Sequence, residues 1–312
     1  MSKIQAVVPI CNNQNHIKSC ISSLLNSSSD MEITAIDMES MDDSVKILKE
    51  HFPNVNTVLL NENKGLGYAL NCAVRDSGAE YILTFSPYAE AQKGYAENII
   101  RCMEGDKDIF SASSVLVYKN SPKKIHSAGF FYTASGKIIK AHKDKNLDKI
   151  QAAAEKKSLS VFAPNIYGAV FRRKIFDEIG GFDENFFKFC EDIDIGWRAS
   201  LFGYKNVSCV GSIACIDADA VKNDLDFRLI ARNNSFMRYK NMPGWQRRLH
   251  SLAYSAENRK TDGLCRKKGI NSYTAGIKEA ELSCRNTCKT RYTKNFLKEQ
   301  FKLEMSFKNK FI

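Results

Sequence analysis

Short apolar runs alternate with helical patterns through roughly the first third of the chain, and this alternation leaves few architectures open. Ile4–Val8, Ile33–Ile36, Asn56–Leu60 and Tyr81–Phe85 read as strands. The segments 15–25, 42–50, 67–75 and 94–103 carry the spacing of amphipathic helices. Strands separated by helices form βα units on a largely parallel sheet with helices on both faces, an α/β fold. In such a sheet ligands sit beyond the carboxyl ends of the strands. The turns after the first, second and fourth strands are therefore the first places to look for chemistry.

The pattern changes further along. Ile109–Tyr118 is a longer strand, and 125–140 holds hairpin-like pieces around Ser135-Gly136. Residues 143–157 read as a surface loop or short helix, and 160–171 return to the core. Arg173–Ile179 is a short helix stopped by Gly180-Gly181, a common C-terminal signal. Glu191–Leu201 reads as helix, Lys205–Ile216 as strand and Leu225–Lys240 as helix, ended by Met242-Pro243-Gly244. There is no internal repeat. The boundaries divide the chain into 1–105, 106–243 and a basic, helical C-terminal extension, 244–312.

Charge sets that extension apart. From Trp245 to Ile312 there are sixteen Lys and Arg against six Asp and Glu, which is +10 of the net +11. Such a segment attracts anionic lipid headgroups or polyanions, or is a solvated helical surface. It lacks the aromatic-basic interleaving of a nucleic-acid reader, and no nucleic-acid partner is expected. No apolar run is long enough to span a bilayer. The N-terminus, MSKIQAVVPI, has no signal-peptide pattern, so the expected compartment is the cytoplasm. The ten cysteines are scattered, several inside apolar runs, which fits reduced thiols acting as small hydrophobes. Cys284 and Cys288 share helical spacing but lack two further ligands at zinc-site spacing.

Carboxylates mark two sites. Asp37 ends the second strand, with Asp42 and Asp43 just before a helix. A strand-end carboxylate such as Asp37 is well placed to accept from a ribose or a base, but taken alone Asp42 or Asp43 reads as a cap and Asp37 as a loop charge. Gly65 and Gly67 precede a helix, but they follow the third strand and have no acidic partner at dinucleotide-site spacing. The first strand leads into Cys11-Asn12-Asn13 and not into a glycine turn, which excludes the nicotinamide-dehydrogenase pattern. The most informative stretch is GGFDENFFKFCEDIDIGWRASLFGY, residues 180–204. Glu191, Asp192 and Asp194 crowd the first turn of a helix, where the dipole favours acids. Phe182, Phe186, Phe187 and Phe189 bring apolar walls beside them, a setting that raises a carboxyl pKa toward that of a general base.

This stretch resembles the Glu-Asp-x-Asp region of family 2 glycosyltransferases with the GT-A fold, and is most similar to their rhamnosyltransferase-like, polysaccharide-building branch. AVVPICNN resembles the family's opening strand, AIDMESMDDS its Val-Asp-Asn-x-Ser-x-Asp-x-Ser segment, and NENKGLGYALNCAV its Asn-x-Gly-x-x-x-Ala-x-Asn segment. RLIARNNSFMRYKNMP resembles its Arg-Asn helix. The resemblance runs in order from Lys3 to Pro243. It implies a nucleotide-binding half at 1–105 and an acceptor and catalytic half at 106–243. The implied reaction is inverting transfer of a sugar from a UDP- or dTDP-linked donor to a glycan or lipid-linked acceptor. Pro9, Asn12, Asp37, Asp42, Asn63, Gly65, Gly67 and Tyr88 would then contact the nucleotide-sugar. Asp192 would act as base, with Glu191 and Asp194 positioning the acceptor or holding the helix. The basic extension would hold the protein to the inner membrane face, near lipid-linked acceptors.

The resemblance also implies Mg²⁺ or Mn²⁺ on the leaving diphosphate, and here the sequence departs from the family. Where the family has a metal-binding Asp after the fourth strand, this chain reads Ser86-Pro87-Tyr88. The family's His on the strand after the Glu-Asp helix is also missing. Glu90 and Asp217 are the candidate replacement ligands. If they do not serve, the chain is a cation-independent or a non-catalytic relative that binds a nucleotide-sugar, a glycan or a partner enzyme.

Overall fold

The structure is a computed structural model that describes residues 3–28, 30–153, 158–223 and 225–284. Strand and helix alternate first: β1 (Ile4–Ile10), α1 (Ile17–Leu25), β2 (Met31–Asp37), α2 (Ser44–His51), β3 (Asn56–Leu59), α3 (Leu66–Val74) and β4 (Tyr81–Phe85). A short β5 (Ala89–Ala91) precedes α4 (Tyr95–Glu104). Then come β6 (Ile109–Tyr118), β7 (Ser121–Ser127), β8 (Phe130–Tyr132), β9 (Ile138–Lys140), α5 (Leu147–Ala153), β10 (Ser158–Ser160), β11 (Gly168–Arg172) and α6 (Arg173–Glu178). The chain continues through α7 (Glu191–Leu201), β12 (Lys205–Ile216), α8 (Ala218–Asn223), α9 (Phe227–Asn241), α10 (Gly244–Leu249), α11 (Ser251–Lys267) and α12 (Tyr273–Ser283).

The main sheet runs β10-β12-β6-β11-β4-β1-β2-β3. Its β4-β1-β2-β3 half is parallel, as the βα alternation requires. Antiparallel β11 is inserted between β4 and β6, and β6 pairs in parallel with β12. The two faces separate cleanly along β1. Ile4, Ala6, Val8 and Ile10 pack with α1, α2 and α4, whereas Val7 packs on the other face with α3, α6 and α7. That two-residue period is the strand's own, so a continuous apolar run is what a doubly covered strand must look like.

Three elements lay outside the sequence reading: β5, β10 and α8. Each is short, and the two strands form only against β12. The expected hairpin around Ser135-Gly136 is the two-stranded β8–β9 ribbon. The C-terminal segment packs, as far as residue 284, against the rest of the chain. Through Tyr273, α12 meets Ala231 of α9 and Cys265 of α11, and Glu279 pairs with Arg228 and Arg232. Cys288 and the most basic part of the extension lie outside the described residues.

Candidate active site

The carboxyl ends of β1 and β4 open onto a cleft of about 370 Å³. Its far wall is the loop before α7, and that loop has an unusual backbone. Phe187, Phe189 and Cys190 all have positive φ, at 60°, 73° and 71°. Side chains with a Cβ avoid this region at a cost of about 1–2 kcal/mol each, so neighbours must hold them there. Two contacts do so. The amide N–H of Leu66 donates to the Phe187 carbonyl at 2.6 Å. Fully buried Asn233, on α9, directs its Nδ2 at the carbonyls of Phe186, Lys188 and Phe189, at 2.8, 2.7 and 2.9 Å. Gly65 is required by the same approach. Its φ is +98°, and a Cβ there would stand 2.3 Å from the Phe187 carbonyl oxygen.

This loop delivers Glu191 and Asp192 to the cleft. Both are buried, at 2% and 8% exposure. Burial pushes the Glu191 carboxyl up to about 8 and that of Asp192 up to about 7. Asp192 Oδ1 accepts from the Ile193 amide at 2.9 Å, which fixes its orientation. Oε1 of Glu191 has no hydrogen-bond partner among the described residues. A carboxyl poised near neutrality in an apolar-walled cleft can accept a proton from a hydroxyl brought against it.

Pro9, Asn63, Gly65 and Tyr88 also line the cleft. The remaining sequence candidates do not. Asn12, with φ of 57°, accepts the Met41 amide on its Oδ1. Asp37 accepts the Ser40 amide on both oxygens. Asp42 takes the amides of Gln14 and Ser44, so Asn12 and Asp42 brace the loops after β1 and β2 against each other, while Asp37 holds the turn of its own loop. Gly67 backs onto Phe182 and Asp183.

Of the two roles expected for Asp194, positioning the acceptor or holding the helix, its contacts match the second. It is wholly buried and outside the cleft. It binds Arg198 Nε at 2.8 Å, Lys240 Nζ at 2.9 Å and Asn241 Nδ2 at 2.8 Å. Burial opposes its charge, but Lys240 and Arg198 hold the carboxyl below its ordinary value. It ties α7 to α9 and is not a group that touches substrate.

Asn233 and Lys140, which lines the cleft from β9, were not singled out in the sequence. Asn233 stands within the Arg-Asn helix pattern, which was its only local signal. Lys140 sits in a three-residue strand, where no periodicity can be read.

With this geometry in place, comparison with known proteins decides the family. The description "Glycosyl transferase family 2" matches residues 5–180, more than half of the chain. The chain belongs to glycosyl transferase family 2. The match ends before Glu191 and Asp192, which the fold adds to the same cleft. Over 82 residues, 25% of the chain, it is 37% identical to the chondroitin synthase of Escherichia coli; the matched segment spans only 12% of that enzyme. The fold is GT-A. It is shared with GalNAc-T7, solved with UDP, GalNAc and Mn²⁺, at a TM-score of 0.63 and 11% identity, over 90% of this chain and 56% of that one. It is also shared with the mannosyltransferase PcManGT of Pyrobaculum calidifontis, solved with GDP-Man and Mn²⁺, at a TM-score of 0.50 and 14% identity, over 91% and 87%.

Those two structures carry Mn²⁺, but the donor set in this chain does not fit a divalent cation. Such ions want several charged oxygens on one point. Tyr88 replaces the expected acid, and its ring sits edge-on to His16 at 5.1 Å. Glu90 is set by the β5–β12 register opposite Cys215 and pairs with Lys119 at 2.7 Å. Asp217 accepts the amides of Asp219 and Ala220 and lies 3.5 Å from His16. Neither Glu90 nor Asp217 lines the cleft. Among the described residues no three His, Cys, Asp or Glu converge as a metal site. Both candidate ligands have their present partners outside the cleft.

Proposed function

We propose that this protein is an inverting glycosyltransferase that moves a sugar from a nucleotide-diphospho-sugar to a glycan or lipid-linked acceptor in surface polysaccharide synthesis. The observation that carries the proposal is Asp192, a buried carboxyl held near neutrality on the wall of a strand-end cleft. Asp192 takes the proton of the acceptor hydroxyl as its oxygen attacks the anomeric carbon in line. The bond from that carbon to the diphosphate oxygen breaks, and the diphosphate leaves with the electron pair. Glu191 is protonated at neutral pH and offers a hydrogen bond to the incoming group. Pro9, Asn63, Gly65 and Tyr88 contact the donor. Asn12, Asp37 and Asp42 support the base pocket by bracing its loops. The role in polysaccharide synthesis is drawn from the short match to a chondroitin synthase.

Mass spectrometry of products from a panel of UDP-, dTDP- and GDP-sugars, reading hydrolysis as well as transfer, tests this. Turnover of one donor that Asp192→Asn abolishes is the expected result. Retained turnover in that variant removes Asp192 as the base.

A second reading is favoured by the loss of the metal-binding acid at Tyr88: a non-catalytic relative that binds nucleotide-sugar, glycan or a partner enzyme. In the same screen it gives donor binding without turnover of any donor.

No helix among the described residues is long and apolar enough to cross a membrane. Peripheral contact with an anionic membrane face is part of the proposal. It is supported by exposed Trp245, Leu249 and Leu252 on α10 and α11, beside exposed Arg248. Apolar anchors next to basic residues suit a headgroup interface. Replacing the three anchors by serine is expected to weaken binding to anionic vesicles; unchanged binding refutes this contact.

A further inference from the structure

Resting on the donor reading above, we propose that Lys140 receives the donor's diphosphate and stands in for the divalent cation that this chain is not built to hold. The β8–β9 ribbon places Phe130 opposite Lys140, and both line the cleft with Ile138. The lysine is half-buried, and among the described residues no carboxylate lies within ion-pair distance of it. Its side-chain partner is His126 Nε2, 2.7 Å away. Burial and the neighbouring Lys140 drive the His126 pKa down to about 3, so this imidazole stays uncharged. It can orient the ammonium but cannot neutralise it.

A buried charge without a counter-charge is costly unless something completes it. Burial, then Lys143 and Lys222, lower the Lys140 pKa to about 8, still above neutrality. The pocket therefore keeps a positive charge with no carboxylate at ion-pair distance among the described residues, Asp144 acting on it only through space. An anion entering the cleft relieves that cost, which is the condition for strong charge-assisted hydrogen bonding.

The position along the cleft selects the diphosphate. The amide of Asp217 donates to the Tyr88 carbonyl at 3.0 Å, so α8 starts beside the residue that replaces the metal-binding acid. Val221 on α8 and Leu225 just beyond it line the same cleft, and Lys222 between them acts electrostatically on Lys140. Lys140 thus lines the same cleft as Tyr88, and Lys222 couples it electrostatically to the helix that starts beside Tyr88. A leaving diphosphate gathers negative charge as the glycosidic bond breaks and needs a fixed cation there. A lysine supplies that charge as a point donor.

Calorimetry in EDTA tests the site with inorganic pyrophosphate and with UDP, dTDP and GDP, on the full chain and on Lys140→Met. Pyrophosphate and one nucleoside diphosphate are expected to bind the native protein with the same affinity in EDTA as in Mn²⁺. Lys140→Met is expected to weaken both by about 10- to 100-fold. Lys140→Arg, which keeps the charge, should restore most of the loss. Thermal melting checks that both variants fold. Pyrophosphate binding that Lys140→Met leaves unchanged overturns the proposal, as does binding that needs Mn²⁺ or no pyrophosphate binding at all. If pyrophosphate binds through Lys140 but no nucleoside diphosphate binds more tightly, the anion site stands and the nucleotide-sugar reading falls.

Discussion

Replacing Asn233 by alanine removes one side chain that reaches three carbonyls, those of Phe186, Lys188 and Phe189. Its Nδ2 has two hydrogens for three acceptors, so the loss amounts to about two net hydrogen bonds at ~1 kcal/mol each. The Phe186 carbonyl is buried and those of Lys188 and Phe189 half-buried, and their desolvation adds about 1–3 kcal/mol. Relaxation of Phe187, Phe189 and Cys190 out of the left-handed region returns part of this, because each stores about 1–2 kcal/mol there. The expected net loss of stability is about 2–4 kcal/mol, read as a lower urea midpoint at unchanged slope. The relaxed loop no longer presents Glu191 and Asp192 in register with the cleft. A misplacement of about 1 Å at the base costs about 100-fold in rate, so kcat should fall much more than donor affinity. Asn233→Asp should be worse than Asn233→Ala at neutral pH, since it turns a carboxylate toward three carbonyl oxygens. An Asn233→Ala protein within about 0.5 kcal/mol of the native one, the range of ordinary surface changes, would refute the clamp.

Four further outcomes follow from the same geometry. The kcat/KM of the native enzyme should rise with pH through about 7 as Asp192 loses its proton, and Asp192→Asn should lower it by about 100- to 10,000-fold. The Glu191 carboxyl is raised from 4.5 to about 8, so the protonated native form is favoured and stability declines as pH rises between those values, by about 5 kcal/mol at 1.36 per unit. Glu191→Gln should therefore match the native protein near the lower pH and exceed it above the upper one in denaturant melts; an unchanged pH slope would count against the assignment. Asp194→Asn leaves buried Arg198 beside a neutral group and Lys240 with Asp183 as its remaining acid, and should cost about 3–5 kcal/mol. The carboxyl of Asp194 is depressed, so its contribution is present above its unfolded pKa and lost as pH falls below 3.8. Gly65→Ala meets both a φ of +98° and the Phe187 carbonyl; a protein as stable as the parent, by calorimetric Tm, would show that this loop is not held as described.

The spans of Ile109–Tyr118, Glu191–Leu201 and Lys205–Ile216 were legible in the sequence because each is a long, largely apolar segment with a clear stop. Asp192 was legible for a related reason: its aromatic approach and helix-start position are local facts. Asp194 was not. It is two residues from Asp192, and only Lys240 and Asn241, which follow it by 46 and 47 residues, show that it turns into the core. Glu90 and Asp217 were plausible ligands by spacing alone. Their partners Lys119 and His16 come from other parts of the chain, and partner choice is what withdrew them from the cleft.

The sequence by itself determined the parallel β1–β4 core, since period-two apolar runs joined by helical ones have few other ways to bury both faces. It also determined that an acid is missing after β4, because Tyr88 is there to be read. Long-range packing settled which carboxylates face the cleft, that Asn233 holds the loop carrying three left-handed residues, and that Lys140, bonded to a neutral histidine, lines the same cleft. The physical reason is common to all three. A side chain's charge and conformation are set by what it meets in space, and here those contacts join segments that no local pattern connects.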